Sequence, residues 1–130
     1  MKELAYASGA STTPLLGRTI GEDLAATAAR HPDREALIVG FQDVRLTYAQ
    51  LDGEVDRLAR GLLAMGLAKG DRVGIWSPNN AEWVLLQYAT ARVGVILVTL
   101  TPAYRTSAVP YALAQSGCRL PVAATAFTTR

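Results

Sequence analysis

The sequence predicts an α/β fold: a β-hairpin set between two helices, then a β-α-β-α-β run with a mainly parallel sheet. Three observations predict it. From residue 72 onward, short apolar runs alternate with helical patterns over short connections, the pattern of right-handed crossovers onto one sheet. Val95-Ile96-Leu97-Val98 is an unbroken aliphatic run of the kind buried on both faces of a parallel sheet. Two Thr-x-x-Glu/Gln signatures, each ahead of a helical period, bracket the hairpin.

The elements follow in order. Residues 1–18 are rich in Ser, Thr, Gly and Ala without a period, and read as a flexible lead-in to a domain over 19–130. Ser8 to Thr13 has phosphate-loop composition, but no predicted strand precedes it and no Gly-Lys pair follows. Thr19 and Glu22 form a capping box for a helix with Ile20, Leu24 and Ala28 on one face, ending before His31-Pro32. His31 reads as an exposed residue at that helix's C-terminus. Ala36–Val39 and Val44–Leu46 are the hairpin strands around a turn at Gly40-Phe41-Gln42-Asp43.

Thr47 and Gln50 make the second capping box. Behind it Leu51, Val55, Leu58, Leu62 and Met65 share one helix face, Asp56 and Arg60 form an i,i+4 pair on the solvated face, and Gly66 stops the helix. Lys69-Gly70-Asp71 turns into the strand Arg72–Trp76. Asn79 is placed to cap the next helix, with Glu82 three residues on; that helix runs from Ala81 to about Val93. Trp83, Val84, Leu85, Leu86, Tyr88, Ala89 and Ala91 cover most of its circumference, so it is buried on more than one side. Gly94 ends it and the 95–98 strand follows. Thr106 or Ser107 caps a last helix to Ser116, with Pro110 in its first turn and Gly117 as its stop. Cys118–Ala124 is the final strand, in which Pro121 fits poorly.

Composition narrows the function classes. Half of the 130 residues are apolar and 18% charged, with a net charge of +2. That is globular, and it argues against a nucleic-acid or membrane-surface module. One cysteine excludes an internal disulfide, and one histidine leaves little room for a histidine metal site or a triad. Charge is uneven. Nine basic residues against eleven acidic ones up to Glu82 leave −2, while Arg92, Arg105, Arg119 and Arg130 beyond it carry +4 with no acidic residue among them. Four arginines over that length do not make a phosphate-binding cluster; the segment reads as interior. The 12 residues between Arg92 and Arg105 are too few to span a bilayer, and the start lacks a signal-peptide run, so a cytoplasmic location is expected.

Several motifs then stand in order. Leu46-Thr47-Tyr48-Ala49-Gln50-Leu51 resembles the first core motif of the AMP-forming adenylate ligases, the superfamily of acyl-CoA synthetases, peptide-synthetase adenylation domains and luciferases. Gly70-Asp71-Arg72-Val73 resembles its lead into the next strand, and Ser77-Pro78-Asn79-Asn80-Ala81-Glu82-Trp83 the strand-to-helix turn of its fatty-acyl and medium-chain branches. Ala91–Tyr104 is similar to the second core motif. Pro102–Ser107 and Gln115–Arg119 are close to the acyl-CoA synthetase branch. Departures fall at Leu100-Thr101, Val109-Pro110 and Pro121, near the end. The resemblance covers about residues 18 to 127 and implies the N-terminal part of the family's large domain, its sheet incomplete.

The family's reaction has two halves. A carboxylate attacks the ATP α-phosphate to give an acyl-adenylate and pyrophosphate; CoA thiol then displaces AMP. The resemblance therefore implies ATP, Mg²⁺ and CoA for the full-length family, and no cofactor for this chain alone. The Gly/Ser/Thr-rich loop with its lysine, the Mg²⁺-associated acid, the adenine and ribose contacts and a C-terminal lysine all lie downstream of the second core motif in the family. Here the only lysines are Lys2 and Lys69, and no stretch reads as that loop. No catalytic, cofactor-binding or metal residue is carried over. Cys118 has no recognisable base and reads as packing; Trp76 and Trp83 read as core filling rather than an acyl tunnel; Tyr104-Arg105 read as a loop cap rather than a phosphate contact. The expectation is a fragment of an acyl-CoA synthetase, inactive alone. The alternative is a stand-alone interaction or acyl-binding module that complements a separately encoded remainder. Open strand edges and the Trp83–Tyr88 face lead to either that remainder or self-association as partner.

Overall fold

The computed structural model describes residue 9 and residues 12–125. The chain runs α1 (Ile20–Arg30), β1 (Glu35–Val39), a 3-10 turn (Gly40–Gln42), β2 (Val44–Thr47), α2 (Tyr48–Ala64), β3 (Arg72–Trp76), α3 (Ala81–Val93), β4 (Ile96–Leu100), α4 (Val109–Ser116) and β5 (Leu120–Ala123). Much of the 1–18 segment lies outside the described residues; 12–18 are exposed and carry no helix or strand.

Both capping boxes form. Thr19 Oγ1 accepts the N–H of Glu22 and Glu22 Oε2 accepts that of Thr19; Thr47 and Gln50 repeat the exchange at α2. The buried residues of α1 are Gly21, Leu24 and Ala28. Ile20, expected among them, is 59% exposed. The cause is Gly21: a Cβ there would stand 3.1 Å from Arg92 Cα, so the bare glycine brings α1 close to the end of α3 and turns Ile20 outward. The seam of α2 is Leu51, Val55, Ala59 and Leu62. Met65, expected to extend it, is 62% exposed because the helix stops at Ala64. Gly66, at φ 82°, donates its N–H to Leu63 O, and Leu67 donates to Leu62 O. This Schellman closure brings Leu67, rather than Met65, back into the core beside Leu62.

β1 and β2 pair antiparallel, with Asp43 in the left-handed region closing the turn. The second sheet is parallel, in the order β4-β3-β5. From its central strand, Val73 and Ile75 join Val55, Leu62, Leu86 and Ala89 in one buried cluster with α2 and α3. Gly74 points the other way, toward Leu113 of α4. The two crossover helices thus cover opposite faces.

Several local expectations are corrected. β4 is an edge strand, so it is not buried on both faces; Ile96 is 46% exposed. Asn80, not Asn79, caps α3, its Oδ1 accepting the Trp83 N–H at 2.9 Å. α4 has no side-chain cap, since Ala108 stands at that position in place of Thr106 or Ser107, but Pro110 does sit in its first turn. β5 begins at Leu120 rather than Cys118. Pro121 fits there because β5 is also an edge: Ala124 N–H bonds Trp76 O, and by alternation the nitrogen of Pro121 points away from β3, where no bond is missed. Trp83, Leu85 and Tyr88 pack against the core and are half-buried, so the helix face expected to be bare is largely covered. Finally, Arg92 pairs with Asp52 and Asp56 of α2, and Arg119 with Asp71. Two of the four late arginines are thus matched by acids of the first half. Among the described residues no helix is long and apolar enough to cross a membrane.

Candidate functional site

Chemistry on an open parallel sheet collects at the carboxyl ends of its strands, where successive crossovers leave in opposite directions. Here the strand order reverses at β3, from which the chain steps to β4 on one side and then to β5 on the other, so the carboxyl end of β3 is where the hollows are to be sought. A crevice of about 690 Å³ opens there, lined by Trp76, Pro102, Tyr104, Arg105, Thr106 and Ser107. Trp76 sets its floor: the indole N–H donates to Thr101 O at 3.1 Å and ties the loop after β4 to the end of β3. Tyr104 N–H closes the same loop onto Thr101 O. Arg105, Thr106 and Ser107 are exposed at the mouth.

A second hollow, of about 390 Å³, flanks the β5 side of the same edge and includes Gln42, Ser77, Asn80 and Glu82. Its polar groups are bound to one another. Asn80 Nδ2 donates to Ser77 Oγ at 2.9 Å, and Ser77 Oγ donates to Pro78 O. Gln42, from the hairpin turn, accepts the Ala81 N–H at 2.7 Å and donates to Glu82 Oε2 at 2.8 Å. One side chain so satisfies a free donor of the α3 N-terminus and holds a carboxylate beside it. The bond from Gln42 keeps the Glu82 carboxyl below the ordinary carboxylate range, with the backbone N–H of Glu82 adding to it. An ionised, already bound carboxylate fixes this turn and is no proton donor. Sequence reasoning missed Gln42, which belongs to no cap or period and acts 39 residues away.

The remaining sequence candidates separate. Cys118 is half-buried under α4, its Sγ 3.2 Å from Ser116 Oγ. Trp83 packs against the core. His31 is exposed and caps α1 through its N–H to Thr27 O. Lys69 lies against Gly94 at the amino end of the sheet, opposite the crevice. At that end Asp71 accepts the Ala68 N–H, which with Arg119 holds its carboxyl below the usual range. Of the singled-out residues, only Trp76, Tyr104 and Arg105 meet in one place. No group of three or more potential metal ligands occurs among the described residues.

A family model described as AMP-binding enzyme matches residues 24–129. The medium-chain acyl-CoA ligase ACSF2, mitochondrial, of Rattus norvegicus is 51% identical over 116 residues, covering 89% of this chain and 19% of its own length. The Homo sapiens protein of that name is 49% identical over 127 residues, 98% of this chain and 21% of its own. The chain spans about a fifth of the length of the curated relatives it matches. Among solved structures, the inhibitor-bound N-terminal domain of FACL13 from Mycobacterium tuberculosis matches with a TM-score of 0.78 at 34% identity, over 81% of this chain and 26% of that one. The N-terminal subdomain of Klebsiella oxytoca NpsA matches with a TM-score of 0.76 over 85% of this chain and 29% of its own; at 23% identity it speaks for the fold alone.

Proposed function

This chain belongs to the AMP-binding enzyme family, and on that premise we propose that it is the amino-terminal portion of an AMP-forming acyl-CoA synthetase. Residues 19–130 are assigned to the partial domain and 1–18 to its lead-in. The parent reaction joins a carboxylic acid to CoA through an acyl-adenylate, releasing pyrophosphate and then AMP. The observation that carries the reading is the chain-long match to acyl-CoA ligases together with a parallel sheet whose carboxyl edge carries the crevice at Trp76 and Arg105.

The described residues do not make an ATP–Mg²⁺ site. The crevice offers one guanidinium and a few hydroxyls and no carboxylate, and Lys69 lies at the far end of the sheet. Mg²⁺ needs oxygen ligands of high charge density, and the transferred phosphates need a lysine or a ring of backbone donors. No chemical step is therefore routed through this chain. Its part is structural: it supplies the first strands of the sheet and the loop that Trp76 pins. We place the parent enzyme in the cytoplasm, a location that recovery of the chain in an organelle fraction would overturn.

ATP–pyrophosphate exchange tests the proposal. Purified chain with medium-chain fatty acids, the class in the relatives' names, is expected to give no exchange above background. Adding the remaining four-fifths of such a ligase as a second polypeptide is expected to restore it. Exchange by the chain alone, or no restoration by a soluble remainder, would count against the reading. The open edge of the three-stranded sheet favours a second reading, in which the chain is a stand-alone acyl-binding or interaction module. Native mass spectrometry showing bound fatty acid would support that one.

A further inference from the structure

Three side chains from two elements close the amino end of α3. The first N–H groups of a helix have no partner within it. Asn80 Oδ1 accepts the Trp83 N–H at 2.9 Å. Gln42 Oε1, from the hairpin turn, accepts the Ala81 N–H at 2.7 Å. The N–H of Glu82 bonds its own carboxylate, which also takes the Gln42 amide N–H at 2.8 Å. The two earlier helices are closed by local residues alone. In α1 and α2 the third residue, Glu22 or Gln50, reaches back to the cap. In α3 the third residue is Trp83, which has no acceptor to offer. Asn80 rather than Asn79 is the cap, so Glu82 falls one place early for that exchange. The bracing side chain comes instead from Gln42, 39 residues away from Ala81.

Helix α3 leaves the carboxyl end of β3, the strand at which the order of the sheet reverses. A helix that starts at such a point is a ready seat for a phosphate or another anion. Here a carboxylate of the chain already stands there. No lysine or arginine lines the hollow of about 390 Å³ around it. Among the described residues Glu82 is held by neutral donors and not by an ion pair. The Gln42 amide sets its direction. The oxygen of that amide is spent on Ala81 and the nitrogen on Glu82, so a turned amide would lose both bonds.

We infer that Glu82 is a resident anion that fills the amino end of α3 and shuts phosphate groups out of it, and that Gln42 is its positioning residue. A ligand phosphate arriving at this end meets no free donor in the first turn and a fixed negative charge beside it. All these groups are bonded to one another within the described chain, so neither the acyl-CoA reading nor what lies against the surface enters.

The test is nuclear magnetic resonance of the 130-residue chain titrated with inorganic pyrophosphate. In the wild type the amide signals of Ala81, Glu82 and Trp83 are expected to stay in place. The double variant Gln42→Ala/Glu82→Ala frees two donors and removes the charge, and its amides at 81 and 82 are expected to move saturably. Saturable movement in the wild type, or none in a double variant shown by circular dichroism to be folded, would overturn the inference. Should that variant not fold, Gln42→Ala alone is read through the Glu82 carboxyl carbon. The Gln42 N–H favours the ionised carboxylate, so its loss is expected to move the Glu82 titration upward, toward the ordinary glutamate range. A Gln42 that only packed the turn would lower stability and leave that titration where it was, which would equally overturn the inference.

Discussion

Among the described glycines, Gly74 leaves the least room for a side chain. A Cβ there would meet Leu113 Cδ2 at 2.5 Å, Leu100 Cδ1 at 3.2 Å and Cys118 Sγ at 3.3 Å. Its neighbours Val73 and Ile75 are fully enclosed on the opposite face and cannot yield. The side that yields is α4, an eight-residue helix with no buried residue. Gly74→Ala is accordingly expected to destabilise the fold by about 1–3 kcal/mol in urea titration, the usual range for overpacking. It is also expected to speed native-state labelling of Cys118 by a thiol reagent, because lifting α4 uncovers that sulfur. Unchanged stability and labelling would show that Leu113 simply swings aside. That sulfur lies between Ser116 and Gly74.

Helices α2 and α3 are joined by apolar burial and by one cation. Arg92 is 19% exposed and reaches the Asp52 carboxylate, the Asp52 carbonyl and, at 3.6 Å, Asp56. Arg60 also pairs with Asp56 but stands 77% exposed on the same helix. Solvent screens the second pair and much less the first. Arg92→Ala should therefore cost about 1–2 kcal/mol, between the exposed and fully buried limits, while Arg60→Ala should stay within about 0.5 kcal/mol. Thermal denaturation of both variants checks the contrast, and equal effects would refute it. This pair also marks where reading by pattern stops. Both capping boxes, the Gly66, Gly94 and Gly117 stops and the β-α-β-α-β order were legible, because each depends on residues close in sequence. The Arg92–Asp52 pair and the Gln42 bridge were not, since they join residues about 40 apart. The misread faces have the same origin. Ile20 and Leu24 are on period, yet a close approach at Gly21 decides which side of α1 is covered. The β4 run looks doubly buried until the strand order puts it at an edge. Of the site, Trp76 and Tyr104-Arg105 were singled out separately; that they share one crevice depends on the strand order, which sets β4 beside β3.

The finished molecule is unequal across its sheet. One face carries α2 and α3, with Val55, Leu62, Val73, Ile75, Leu86 and Ala89 in a single buried cluster that also takes in Leu24 of α1. The other face carries α4, uncapped at its start and with no buried residue, its Leu113 standing over Gly74. Local opening follows buried contact, so these two faces should not open together. The segment from Thr101 through β5 is expected to exchange its amides first, at a free energy below that of global unfolding, while β3 and the buried turns of α2 and α3 exchange last. Brief proteolysis should accordingly cut within 101–119 before any bond in 48–93. The crevice at Trp76 and Arg105 lies on the boundary between the two units, its floor on β3 and its mouth on the 101–107 loop. A Trp76→Phe change removes the indole bond to Thr101 O with little loss of volume, and so should widen the gap in protection between the two units. Uniform exchange across both faces, or a gap unmoved by Trp76→Phe, would mean that the sheet opens as one body and that the indole bond does not couple its halves.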